Sequence, residues 1–309
     1  EVSQKQAYIF SSNKLKENIE HSENICQVTD IRYFQTIADM AGIPFSEEGN
    51  LVYSGGGHTV LEFEDKETAK SFAYAVSRTV RQEFAEIALF IKVMQYDESR
   101  TPGENLEQLT KELEVKKSVR KASFHQGSFG VERIEASARK PKALEGLIER
   151  IEYKGDKEYK PEGYDMPKRF SDLGNSKYRS SFIAVVHIDG NAMGKRVEQV
   201  RKKNEGKSWN DYKSELRKFS DSIDTNFKEA FKEMTDKVAE GLKKGAKDKL
   251  DLEYRYFPVR KIILAGDDVC FVTEGRIGLE AARIFIERLA DKKNDQDHQN
   301  YTACAGVAI

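Results

Sequence analysis

The sequence predicts an α+β protein of two ferredoxin-like domains, with antiparallel sheets and helices on one face. Three observations carry that expectation. The order strand, helix, hairpin, helix, strand occurs twice; both hairpins have a tip of small residues; and the segments between strands each carry one apolar stripe at three- and four-residue steps. The expected boundaries are 1–97 for the first domain, 98–180 for a connector and 181–309 for the second domain.

In the first copy, QAYIF (6–10) has strand composition, and Leu15, Ile19 and Ile25 mark an amphipathic helix after it. LVY (51–53), the triplet Gly55, Gly56 and Gly57, and TVLEF (59–63) read as a glycine-tipped hairpin. Ala69, Phe72, Val76, Val80 and Phe84 define the next helix, and ALFIKVMQY (88–96) reads as the closing strand. The connector is rich in Lys, Glu, Gly and Pro. A short helix is expected there around Leu144, Leu147 and Ile151, and a further hairpin in SVRKASFHQGSFGVERI.

The second copy starts with the strand FIAVVHI, the turn DGNAMG and the helix KRVEQVRKK. A long helix follows, its stripe running from Trp209 through Tyr212, Leu216, Phe219, Ile223, Phe227, Phe231, Met234 and Val238 to Leu242. Those aromatics read as core rather than as a base-stacking surface. KIIL, AGDD and VCFVT form a hairpin; residues 277–290 form a helix with Leu279, Ala282, Ile286 and Leu289 inward; TACAGVAI supplies the last strand.

Bulk properties narrow the function. With 51 Lys and Arg against 52 Asp and Glu, the net charge of -1 gives no overall bias toward a polyanion. Cys26, Cys270 and Cys304 are scattered without C-x-x-C spacing, which argues against a disulfide framework or a zinc knuckle and suggests reduced thiols in cytoplasm. No apolar run is long enough for a bilayer, so no membrane partner is expected. The chain opens on Glu1 and closes inside a strand, so both ends are expected to be cut from something longer.

The chemistry centres on Asp267 and Asp268, adjacent like charges that repel unless a cation sits between them. Laying the hairpins together without gaps pairs Gly55 with Ala265, Gly56 with Gly266, Gly57 with Asp267 and His58 with Asp268. The same operation on the first strands pairs Ser11 with Asp189, Ser12 with Gly190 and Asn13 with Asn191. All three acids, Asp189, Asp267 and Asp268, then fall in the second copy, where strand end and hairpin tip are neighbours. Such a trio suits Mg²⁺ in a metal–nucleotide site. The acid-free first copy suggests a nucleotide cradle whose glycine amides approach phosphate closely. Plainer readings stand beside these: a solvated turn at Asp267 and Asp268, a helix cap at Asp189, a flexible turn at Gly55 to Gly57, a surface strand residue at His58. Lys195, Arg196, Arg201, Lys202 and Lys203 read as a solvated helix face from which Lys195 or Arg196 could reach a triphosphate.

IDGNAMG (188–194) and LAGDDV (264–269) resemble the first-strand and GGDD motifs of the large polymerase-like subunit of type III CRISPR effector complexes. YIFSSNKL with YSGGGH looks like that subunit's first, non-catalytic palm. The resemblance implies two palm or nucleotidyl-cyclase-like domains that join ATP into cyclic oligoadenylate or a cyclic dinucleotide with Mg²⁺ or Mn²⁺, in antiviral defence. It assigns catalysis to Asp189, Asp267 and Asp268, and metal binding to these with the Gly190 carbonyl. Nucleotide contacts fall to Ser11, Ser12, Asn13, Gly55, Gly56, Gly57, Gly190, Asn191, Gly194, Lys195, Ala265 and Gly266. Partners would be ATP, two nucleotides between the palms, with other effector subunits and RNA. Ala265 replaces the first glycine of GGDD, which is tolerable if its backbone avoids positive φ. No His is followed by Asp, so the HD nuclease of that family is not expected, and its zinc knuckle is missing. The alternatives are a non-catalytic nucleotide- or RNA-binding scaffold, and a GTP-using cyclase of the GGDEF kind.

Overall fold

The computed structural model describes residues 1–119, 133–135, 140–142, 158–173, 182–246 and 255–309. The chain divides into two compact units, Glu1–Tyr8 with Glu23–Glu152, and Ile9–Ser22 with Tyr153–Ile309. Small antiparallel sheets and amphipathic helices make it an α+β protein.

In the second unit, β7 (Ile183–Gly190), α7 (Met193–Lys203), α8 (Trp209–Gly241), β8 (Val259–Ala265), β9 (Asp268–Glu274), α9 (Gly278–Ala290) and β10 (Ala303–Ala308) follow one another. The strands form one antiparallel sheet in the order β10-β7-β9-β8. The third strand is thus inserted between the first two and the fourth lies beside the first, a split β-α-β arrangement. Alternation along β7 buries Ala184, Val186 and Ile188. The same core takes Phe227 and Phe231 of α8, Phe271 of β9 and Phe285 of α9, with Phe231 edge-on to Phe271 at 5.6 Å. The stripe of α9 runs through Ala281, Ala282, Phe285 and Leu289; Leu279, expected inward, is 65% exposed because it sits off that stripe.

The first unit contains β1 (Val2–Ser3), α1 (Lys5–Ile9), α2 (Leu15–Val28), α3 (Ile31–Ala41), α4 (Glu47–Asn50), β2 (Leu51–Gly55), β3 (His58–Leu61), α5 (Lys66–Glu83), β4 (Ala88–Leu89) and α6 (Pro102–Val119), apart from the segment of α1 and α2 that groups with the other unit. β5 (Arg133–Glu135) pairs with β6 (Lys140–Lys142). Phe72 anchors the core, stacked on Phe45 at 5.0 Å and edge-on to Phe34 of α3 at 5.9 Å.

Two strand expectations are corrected. QAYIF is mostly helix α1, because the strand is spent before it: Val2 pairs with Leu89 and its N–H donates to the Gly57 carbonyl at 3.0 Å. Of ALFIKVMQY only Ala88 and Leu89 pair, matching the two residues of β1. Helix α6 was hidden in the connector by its Pro-Gly opening. Yet Thr101 and Glu104 form a reciprocal capping box (Thr101 N–H to Glu104 at 2.8 Å, Glu104 N–H to Thr101 at 3.3 Å) and Pro102 takes the first helical position. Ser118 and Val119 of the expected connector hairpin end this helix, whereas residues 120–132 and the helix around Leu144 to Ile151 lie outside the described residues.

The hairpins match as expected, Gly55 opposite His58 and Ala265 opposite Asp268. The first strands match ten residues earlier than gapless alignment suggested. Val2 N–H donates to Gly57 O, and Gly190 N–H donates to Asp267 O at 3.2 Å. Two residues on, Gln4 and Ala192 are both left-handed, at φ 54° and 59°, and helices start at Lys5 and Met193. The counterpart of Asp189 is therefore Glu1, not Ser11.

Candidate nucleotide site

Asp189 and Asp268 are directly opposite each other on β7 and β9, and opposed residues of antiparallel strands share a face with Cβ atoms about 5 Å apart. Cys304 flanks Asp189 on β10 and Ala265 flanks Asp268 on β8, so one rung across the sheet reads Cys304, Asp189, Asp268, Ala265. Asp189 is exposed and Asp268 half-buried. Next along the same face, His187 lies opposite Cys270, and its Nε2 is 3.0 Å from Asp268 Oδ1. Burial, with the charge of Asp268 adding to it, pushes the Cys270 thiol up to about 12, so it stays protonated at neutral pH.

Asp267 occupies the tip, one residue outside that rung. A methyl group on Gly190 would lie 2.8 Å from Asp267 Cβ and 3.0 Å from Met193 Cε, so glycine is what lets strand end and tip close together. Gly266 takes φ 61° and its N–H donates to Asp224 Oδ1 on α8 at 3.4 Å. Ala265 has no positive φ, which explains why alanine fits there. Among the described residues, no three His, Cys, Asp or Glu side chains are grouped closely enough to hold a metal by themselves.

Helix α7 begins after left-handed Ala192 with no side-chain cap, so Asp189 does not cap it. Gly194 and Lys195 are exposed in its first turn and Asn191 N–H donates to Thr302 O at 2.8 Å. Arg196, in contrast, leaves the expected solvated face. It is 5% exposed, bidentate to Asp297 at 2.7 and 2.8 Å, and stacked 4.7 Å from the Tyr301 ring. It is unavailable to a triphosphate.

In the first unit the tip residues Gly56 and Gly57 have φ 57° and 77°. The Lys5 ammonium donates to Gly56 O and the Val2 N–H to Gly57 O, so both tip carbonyls are occupied. His58, at the place of Asp268, sits 3.2 Å from Glu1 Oε2; hydrogen bonding to His58, outweighing the cost of burial, holds that carboxyl down at about 2. Ser11, Ser12 and Asn13 lie in the bend after α1, where Ser12 donates to Glu17 at 2.5 Å. They do not correspond to Asp189, Gly190 and Asn191.

His187 and Asp224 escaped the sequence reading. Strand alternation from Asp189 already placed His187 on the acidic face. Nothing in the pattern of α8 singled out Asp224, because its relevance depends on where the helix passes the tip.

No protein-family model matches the chain, and no curated protein matches its sequence. Solved structures do. A chain of the Csm1-Csm4 cassette in complex with cA3 superposes with a TM-score of 0.60 at 15% identity, over 100% of this chain and 49% of that one. The cassette with one ATP gives 0.59 at 15% identity with the same coverage. The Csm1-Csm4 subcomplex of the type III-A CRISPR-Csm interference complex gives 0.59 at 16%, covering 100% and 49%. The chain has the fold of a type III CRISPR cassette subunit. It spans about half the length of the chains it matches.

Proposed function

We propose that both units are palm-like, ferredoxin-type domains, and that the second joins ATP into cyclic oligoadenylate or a cyclic dinucleotide within a type III CRISPR-like effector, in the cytoplasm. The observation that carries this reading is the Asp189–Asp268 rung beside the Gly266–Asp267 tip, set in a fold shared with cassettes solved with ATP and with cA3.

Mg²⁺ is held through one or two carboxylates plus water and substrate phosphates rather than by an all-protein cage. Two carboxylates facing each other across adjacent strands, with Asp267 at the neighbouring tip, fit that requirement. Asp189 and Asp268 would hold Mg²⁺ or Mn²⁺, with Asp267 and the Gly190 carbonyl beside them. Bound there, the ion would supply charge neutralisation on the phosphates and a lowered pKa for the attacking 3′-hydroxyl.

The chain's own groups do the rest by positioning. The uncapped amides at the start of α7, around Met193, Gly194 and Lys195, face a triphosphate with the positive end of the helix dipole, and the Lys195 ammonium adds charge. Asn191, Ala265 and Gly266 line the nucleotide. In the first unit, the occupied carbonyls of Gly56 and Gly57 leave the tip's amides for a phosphate without a metal, and Gly55 precedes them in β2. Ser11, Ser12 and Asn13, in the bend after α1, have no part in this arrangement.

The test is mass spectrometry of products after the full-length protein, with its complex partners where required, is incubated with each nucleoside triphosphate and Mn²⁺ or Mg²⁺. Cyclic products from ATP that vanish in Asp189→Asn are expected. A nucleotide-binding scaffold without turnover is the second reading, favoured by the absence, among the described residues, of a three-residue metal cluster; unchanged ATP with retained ATP affinity would establish it instead.

A further inference from the structure

We infer that His187 is a positioning residue for the second acid of the site, a role that rests on the metal–nucleotide reading above. Asp189 and Asp268 stand opposite each other on one rung, where two like charges repel. His187 comes from the same strand as Asp189, two residues earlier, so strand alternation puts its ring on the same face. Its Nε2 reaches Asp268 Oδ1 diagonally, at 3.0 Å. The ring nitrogen stands at ion-pair distance from that one carboxylate oxygen without the alignment of a hydrogen bond, and its bulk there limits which way the group can turn. Carboxylates that bind metal are themselves oriented by hydrogen-bonding neighbours, and loss of such a neighbour weakens metal affinity about 10- to 100-fold.

The first unit offers an internal control. There the place of Asp268 is filled by His58, and its Nδ1 lies 3.2 Å from Glu1, the counterpart of Asp189. An imidazole therefore faces a rung carboxylate in both copies. In the first it replaces one acid of the pair; in the second it lies beside the pair and leaves both acids in place. His187 converts two repelling carboxylates into one free-standing and one oriented group. Cys270, its cross-strand partner, is a buried neutral thiol that offers no competing charge.

The experiment measures Mn²⁺–ATP affinity by calorimetry, alongside metal-free ATP affinity and melting temperature, for the parent, His187→Leu and His187→Gln. Glutamine can place an amide N–H near the Nε2 position; leucine cannot. Expected is a roughly 10-fold or greater loss of Mn²⁺–ATP affinity in His187→Leu, recovery to within about 3-fold in His187→Gln, and unchanged metal-free binding. Equal affinity in all three proteins overturns the inference, as does an equal loss in both variants. Should His187→Leu fail to fold, a His187→Gln protein with parental affinity supports the role and a loss in it overturns the role. A protein that binds Mn²⁺–ATP in a His187-dependent way but releases no pyrophosphate sinks the turnover reading and keeps this one. Turnover that survives in His187→Leu with unchanged metal dependence does the reverse.

Discussion

In the first unit the hairpin tip is Gly56–Gly57, and its carbonyls receive the Lys5 ammonium and the Val2 N–H. In the second it is Gly266–Asp267, where Gly190 N–H takes the Asp267 carbonyl and Asp224 takes the Gly266 amide. The strand end meets the tip through the same bond in both copies, and the residue that opens the following helix packs on a glycine in both: Lys5 on Gly57, Met193 on Gly190. At this junction it is the side chains that differ, although the first copy's strands form two two-stranded sheets and the second copy's form one of four. One tip is closed by a built-in cation, the Lys5 ammonium; the other carries two adjacent acids. On the function proposed above, one repeated backbone would hold a phosphate in one copy and a metal in the other through a change of four or five side chains.

The largest effect expected from breaking that contrast is on turnover. Asp189→Asn should lower pyrophosphate release by about 10²-fold or more, since oriented charge in such sites contributes on that scale, while the melting temperature holds or rises slightly because a like-charged pair is relieved. His58→Asn, at the corresponding rung of the other copy, should cost less than about 3-fold. Comparable losses in both variants, by a coupled pyrophosphate assay, would mean that the two rungs do not differ in role.

That contrast was only half visible in the sequence. Helices with broad stripes, such as α5 and α8, were legible because burying one face requires apolar residues at fixed spacing. The hairpin registers were legible because glycine and aspartate mark two-residue turns. The first strand was misplaced because Val2 and Ser3 are too few to produce alternation, whereas QAYIF has strand composition but lies beyond the left-handed turn at Gln4. Asp30 and Gly42 cap the overlooked helix α3 with local signals that were present, its N-cap bond at 2.8 Å and its C-cap at φ 66°. Arg196 was read as solvent-facing because its partner, Asp297, is 101 residues away and no local pattern links them. Among the site residues, the acids declared themselves by adjacency and repetition, and the groups that orient them did not.

The second effect tests how the following helices are held. Arg196 and Tyr8 occupy the fourth positions of α7 and α1. The Arg196 and Asp297 side chains are 6% and 8% exposed, so Arg196→Met would strand a buried carboxylate and should destabilise by about 3–5 kcal/mol. Tyr8 Oη accepts a hydrogen bond from Asn24 at 3.0 Å, and Tyr8→Phe should cost about 1 kcal/mol. Burial is the largest single influence on Asp297 and opposes its ionisation, but the Arg196 bonds, the Gln299 N–H and the Arg196 charge together outweigh it and hold its pKa below the usual aspartate value. A depressed folded pKa contributes stability that is fully present above the unfolded value near 4 and is lost as pH falls through the folded one. Urea unfolding between pH 3 and 7 should therefore show a weaker acid dependence in Arg196→Met. An unchanged pH profile would separate the pair from acid stability.

Gly190→Ala comes third. Its new methyl would lie 2.8 Å from Asp267 Cβ, a carbon close to the main chain that cannot swing away, and overpacking of this kind costs about 1–3 kcal/mol. Gly57→Ala in the first unit meets the flexible Lys5 side chain at 2.9 Å, but at φ 77° it is strained as well. Their unfolding free energies distinguish contact from backbone strain: Gly190→Ala should also impair turnover by shifting Asp267, and Gly57→Ala should not.

The smallest effect comes from the feature both copies share. Gln4 and Ala192 hold left-handed backbone at the junction of strand and helix, at φ 54° and 59°, where a Cβ crowds the following carbonyl. Glycine carries no such penalty but loses more entropy on folding, so Ala192→Gly and Gln4→Gly should each stabilise by about 0.5–1 kcal/mol. If both raise the melting temperature equally, the strain belongs to the frame and predates the difference in chemistry. If only Ala192→Gly does so, and turnover falls with it, the turn after Asp189 is held under strain for the sake of the site, and the two copies differ in their backbone as well as in their side chains.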